Sequence, residues 1–259
     1  PITFLIFIPT QSYNQIFGLQ FITIVPSFCL LLIILANRNI QSPKVCAIIS
    51  AILCIVSTYT YSNGLIVWAI GNPLIFKLLR VKDFKLSDVL LFNAIFIVII
   101  VLYFHEYQHP SHHPGMLKGI LHPLRTIEYF TLWLWSPFVI HLPHSKYLCI
   151  GLTVAYLVIL YFLLVRVKKS FQVNKSVKLS VLCPVMLVMY GIISGCIASL
   201  GRSGFGVMAA LGPQYPSFAL WAHLGLCLLV LIGLPIGNKL FRASILAGYA
   251  LLYMVCFES

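Results

Sequence analysis

The stretch YLCIGLTVAYLVILYFLLV (147–165) runs straight into RVKKSFQVNKSVK (166–178). The first segment is uncharged and long enough to cross a hydrocarbon core of roughly 30 Å as a helix. The second carries Arg166, Lys168, Lys169, Lys175 and Lys178 without one acidic residue. Read together they give an uncharged span followed by a cytoplasmic loop, because Lys and Arg in short loops collect on the cytoplasmic side.

Working outward, the same alternation recurs. Apolar runs at 16–36, 45–61, 64–79, 86–103, 147–165, 180–199, 217–237 and 243–257 read as spans. With the N-terminus outside, the loops 37–44, 77–85, 166–178 and 238–242 fall inside and hold thirteen of the seventeen basic residues. Lys118, Arg125, Lys146 and Arg202 remain outside. The stretch TIEYFTLWLWSPFVIHL (126–142) tests this arrangement. If it crossed, the loop 166–178 would move outside, against the strongest charge signal in the chain. Its length and its Glu128, Pro137 and His141 predict an interfacial or re-entrant helix, with Trp133 and Trp135 at headgroup level.

Composition agrees. Of the 259 residues 61% are hydrophobic and 8% charged, and the mean hydropathy is +1.01. An all-α, polytopic bundle of about eight spans is expected, with both ends outside and one transmembrane domain over 1–259. The net charge of +12 does not imply a nucleic-acid partner, since it sits in the short loops between spans. The eight cysteines lie in apolar stretches without a CxxC pair and predict no disulfide framework. The chain opens at Pro1, without a signal-peptide pattern, and reads as a piece whose N-terminal part is missing.

Two helices are expected to carry breaks or close contacts. Gly71-Asn72-Pro73 interrupts the third span, because Pro73 removes a backbone donor. Gly191 and Gly195 have the GxxxG spacing of closely packed membrane helices.

The external loop FHEYQHPSHHPGMLKGILHPLR (104–125) holds five of the eight histidines. His105-Glu106-x-x-His109 is an HExxH string, which on a helix can bind zinc and use its glutamate as base. Glu128 is then the candidate third ligand. Pro110 directly follows His109 and ends any helix there, so no metal or other cofactor is expected, with zinc on His105, His109 and Glu128 the alternative. The same polar groups can also serve without metal, or form a solvated loop. The loop 199–218 places Arg202 among Gly201, Gly204 and Gly206. A guanidinium there can hold a phosphate by two parallel hydrogen bonds, or it can snorkel to lipid headgroups.

Four segments carry a resemblance. They are Gln11-Ser-Tyr13-Asn14-x-x-Phe17-Gly18-Leu-Gln20-Phe21; Ser62-Asn63-Gly64-Leu65-Ile66-Val67-Trp68; Tyr103-Phe104-x-x-Tyr107-x-x-Pro110-x-His112-His113-Pro114, with Tyr129 and Ser136-Pro137-Phe138; and Gly201-Arg202-x-Gly204-x-Gly206 with Tyr215. In these the chain resembles the C-terminal half of a family of bacterial multi-pass proteins that look like GT-C-type membrane glycosyltransferases. Gln214 departs from the pattern, which implies an arginine before Tyr215. The resemblance implies transfer of a sugar from a polyprenyl-phosphate-linked donor on the outer face of the bacterial inner membrane. It implies Gln20, Asn63, Tyr107, His112, His113, Arg202 and Tyr215 as substrate-binding residues, and a catalytic carboxylate in an N-terminal external loop that the chain lacks; within the chain Glu106 or Glu128 is the candidate base. Membrane lipid and the lipid-linked sugar would be the partners. A transporter or flippase of lipid-linked sugars, or a membrane zinc peptidase, is the alternative.

Overall fold

The computed structural model describes residues 22–105, 115–139, 146–174, 179–233, 243–245 and 247–249. Among them there is no strand. The helices are α1 (Val25–Asn39), α2 (Pro43–Thr60), α3 (Leu65–Ile70), α4 (Pro73–Leu78), α5 (Leu86–Phe104), α6 (Met116–Leu121), α7 (Pro123–Val139), α8 (Lys146–Asn174), α9 (Leu179–Arg202) and α10 (Tyr215–Gly233). Five stretches are long and apolar enough to cross a membrane: Pro43–Thr60, Leu86–Phe104, Tyr147–Lys169, Leu179–Phe205 and Tyr215–Ile232. The chain is a multi-pass helical membrane protein. The run 243–257 falls largely outside the described residues.

The first half is a hairpin of α2 and α3, flanked by α1 and α5. The turn Ser62–Gly64 requires its glycine, since a Cβ on Gly64 would meet the Ser57 carbonyl oxygen at 1.9 Å. Trp68 Nε1 donates to Thr58 Oγ1 at 2.8 Å and stitches the hairpin below the turn. The expected break divides 64–79 into two six-residue helices. Asn72 caps α4 by accepting from the Leu74 N–H at 2.9 Å, and its amide donates to Asn93 Oδ1 on α5 at 3.0 Å. Asn93 in turn donates to the Val89 carbonyl at 2.7 Å. The Asn72 side chain thus caps the helix that Pro73 starts and ties the break to α5.

The second half packs α7, α9 and α10 together, and the small residues decide how closely. A Cβ on Gly191 would lie 2.6 Å from the Ala222 backbone nitrogen, and one on Gly195 would lie 2.6 Å from the Trp133 ring. The GxxxG pair thus serves helix packing, but on two different partners. Trp133 and Trp135 are 0% and 4% exposed. They do not face outward as belt residues do; α7 inserts its C-terminal half into the bundle and buries every residue from Thr131 to Val139. Inside α7, Pro137 leaves the Trp133 carbonyl without its usual helical donor, and the Ser136 hydroxyl donates to it at 2.8 Å. The Leu134 carbonyl bonds His223 Nε2 of α10 at 2.8 Å, while His223 Nδ1 lies 2.9 Å from the Tyr249 hydroxyl. Trp135 Nε1 donates to Thr153 of α8 at 3.0 Å.

Chain reach sets the direction of α8. Four residues separate its last residue, Asn174, from the start of α9 at Leu179. They bridge at most about 18 Å, whereas α9 runs roughly 36 Å to Arg202. The end of α8 therefore lies toward the start of α9, away from Arg202. The helix reaches past the expected boundary at 165, so Arg166, Lys168 and Lys169 are helical and not in a loop. Arg202, likewise expected in a loop, is the last residue of α9.

Candidate functional site at the Arg202 end

Four elements meet where α9 ends: the turn after α2, the N-terminal part of α7, the helical turn Ser203–Phe205, and the first residues of α10. Thr126 of α7 ties them. Its hydroxyl donates to the Gly119 carbonyl at 2.7 Å and lies 3.2 Å from the Ser203 hydroxyl. Gly206 adopts φ +113° just beyond this turn, a conformation open to glycine at little cost. Tyr61, from the α2–α3 turn, packs its ring 5.2 Å from Phe218 and so brings the first half of the chain to the site.

Arg202 sits at the centre. Its guanidinium carbon is 5.8 Å from the centre of the Tyr215 ring, within cation–π range. Tyr215 stands edge-on to Tyr129 at 6.3 Å. Tyr129 is fully buried; its hydroxyl makes no short hydrogen bond and interacts with the Tyr215 phenol. Burial pushes the Tyr61 and Tyr129 phenols above their ordinary range, while the Arg202 charge draws both the other way. The site is thus a fixed cation beside neutral phenol donors, two of them set against each other. Such a group can receive an anionic oxygen: the guanidinium supplies charge and parallel N–H donors, and a phenol supplies a further O–H.

The expected residues divide. Arg202 and Tyr215 are brought together. Asn63 is half-buried in the Ser62–Gly64 turn, two residues from Tyr61. Glu128 is half-buried on α7, directly before Tyr129. Gln20, Glu106, Tyr107, His109, His112 and His113 lie outside the described residues. His105 ends α5, which packs on α2, whereas Glu128 belongs to α7, which packs on α8, α9 and α10. Among the described residues no group of three or more His, Cys, Asp or Glu side chains could hold a metal ion.

Sequence reading takes Tyr61 only as part of a tight polar turn at 59–64 and gives Tyr129 weight only within the resemblance. Both are aromatic residues beside apolar runs, and nothing local to either marks it as a neighbour of Arg202.

No protein-family model matches the chain, and neither does any curated protein or solved structure.

Proposed function

We propose that the chain is a GT-C-like membrane glycosyltransferase that takes a sugar from a polyprenyl-phosphate-linked donor on the outer face of a bacterial inner membrane. The observation that carries this reading is the Arg202–Tyr215–Tyr129 cluster, a guanidinium beside two phenols that interact with each other. In this reading Arg202 takes the donor phosphate. A carboxylate, Glu128 or Glu106, accepts the proton of an acceptor hydroxyl as that oxygen bonds to the anomeric carbon. The bond from that carbon to the phosphate oxygen breaks, and the departing lipid phosphate stays on the guanidinium. Asn63 and Tyr215, with Gln20, Tyr107, His112 and His113, line the donor.

The topology proposed with it has about eight passes, both ends outside, and α7 entering and leaving from one side. Charge supports this. Arg38, Lys44, Lys77, Arg80, Lys82, Lys85, Arg166, Lys168 and Lys169 all belong to chain segments remote from Arg202. Contacts support it too: α7 begins beside Ser203, while the next helix, α8, also runs away from the Arg202 end. A flippase would use the Gly71–Pro73 break, and the hydrogen bonds from Asn72 to Asn93 give that break a packing role instead.

The test is transfer from a radiolabelled polyprenyl-phosphate sugar by the full chain in proteoliposomes. Turnover that is lost in Arg202→Ala, and partly kept in Arg202→Lys, is the expected result. Movement of the intact lipid-linked sugar between leaflets without cleavage would replace the transferase with the flippase.

A further inference from the structure

The helix α6 and the first turn of α7 carry apolar side chains that turn away from the bundle. Leu117 is 66% exposed, Leu121 65% and Leu124 79%. The segment is nevertheless held firmly. Gly119 lies so close to α9 that a Cβ would meet the Leu200 carbonyl oxygen at 2.4 Å, and Thr126 bonds the Gly119 carbonyl from the following helix. Because Gly119 faces inward, the leucines face outward. Leu200 is near the end of a span-length helix, which sets this surface at the level where that helix leaves the hydrocarbon.

Cations interleave with the leucines. Lys118 lies on α6, and His122 directly follows the helix with its N–H donating to the Lys118 carbonyl at 3.2 Å. Arg125 follows in the first turn of α7, and residues Leu121 to Arg125 line a groove of about 330 Å³. All three are exposed. Lys118 and Arg125 are also two of the few basic residues remote from the basic loops. Outward leucines interleaved with cations match the boundary between acyl chains and headgroups.

We propose that Leu117–Arg125 is a docking surface for an anionic phospholipid, adjoining the Arg202 end, where the Arg125 guanidinium approaches Gly206. Lys118 and Arg125 hold the headgroup phosphate, and Leu121 and Leu124 lie along the upper acyl chain. A zwitterionic lipid offers the same phosphate but adds a cation that these side chains repel, so charge selects the occupant.

The experiment uses the full chain in nanodiscs with a phosphatidylglycerol probe carrying a photoactivatable diazirine near its headgroup, and cross-links mapped by peptide mass. Cross-links in 117–125 are expected, reduced roughly tenfold in the K118Q/R125Q double variant. The K118R/R125K pair, which keeps the charge, should cross-link like the wild type. Arg202→Ala should leave the cross-links unchanged, so that this surface and the donor site stand or fall separately. Three results would overturn the proposal: no cross-links in 117–125, equal labelling of K118Q/R125Q and wild type, or equal labelling by a phosphatidylcholine probe of the same design.

Discussion

The two ends of the bundle use their cations differently. At the basic end Lys82 donates to the Asn37 carbonyl at 3.0 Å and also to the Ile40 carbonyl, closing the C-terminal turn of α1. Lys77 donates to the Phe84 carbonyl across the link between α4 and α5. These ammonium groups complete backbone hydrogen bonding at helix ends, where a positive charge also suits the helix dipole. At the other end Arg202 faces the Tyr215 ring, and the buried Tyr129 phenol interacts only loosely with the Tyr215 phenol. The lesson is that a membrane protein's charges need sorting by what they touch. Those saturated by carbonyls hold the fold, and those set among rings and loosely held donors are free to take a ligand.

The strongest way to break the comparison is at its hinge. Gly119→Leu at the Arg202 end would drive a side chain into the Leu200 backbone, which cannot give way like a flexible side chain. We expect a loss of about 3 kcal/mol, read as a lowered Tm in detergent, together with loss of donor binding. A variant as stable as the wild type would show that α6 docks on α9 by other contacts.

Lys82→Met removes the charged donor from two α1 carbonyls. We expect a loss of about 2 kcal/mol, again in thermal unfolding, with donor affinity unchanged once the protein is folded. A fall in donor affinity of the same size as for Arg202→Ala would erase the distinction between the ends.

The distinction was only partly visible in the sequence. Spans are legible because twenty apolar residues have few fates in a chain this poor in charge. The Gly71-Asn72-Pro73 break is legible because proline acts locally. The depth of α7 was not. A Trp-Leu-Trp run reads the same at a headgroup belt and in a core, and what pulls Trp133 inward is the missing side chain of Gly195, far along the chain. The site shows the same limit. Arg202 stands out as an isolated cation among glycines, whereas Tyr61 reaches it through a contact with Phe218 that no local pattern encodes.

Arg202 itself sharpens the comparison. A charge-assisted, two-pronged contact with phosphate is worth roughly 1.5–3 kcal/mol, so Arg202→Ala should weaken binding of a polyprenyl-phosphate by about tenfold to a hundredfold. Arg202→Lys keeps the charge without the fork and should fall between. Microscale thermophoresis with a short-chain polyprenyl phosphate would measure both. Equal affinity for all three proteins would return Arg202 to the role of a membrane anchor.

The smallest effect is the most discriminating. Tyr129→Phe deletes a buried hydroxyl that makes no short hydrogen bond, and keeps the ring that packs on Tyr215. Its loose interaction with the Tyr215 phenol adds little to the fold, so the variant should stay within about 1 kcal/mol of the wild type. Donor affinity should nevertheless fall by roughly fivefold, the worth of one hydrogen bond. The pH response gives an independent reading. Burial raises the Tyr129 phenol above its ordinary range, so the folded state holds that proton to higher pH than the unfolded chain does. The associated stability is complete below the ordinary phenol range and declines as pH rises through and above it. Tyr129→Phe should flatten part of that alkaline decline, and Tyr61, raised in the same direction, should leave the remainder. A variant that loses stability and donor affinity together would mean that the hydroxyl holds the bundle, and the two ends would then differ in composition but not in role.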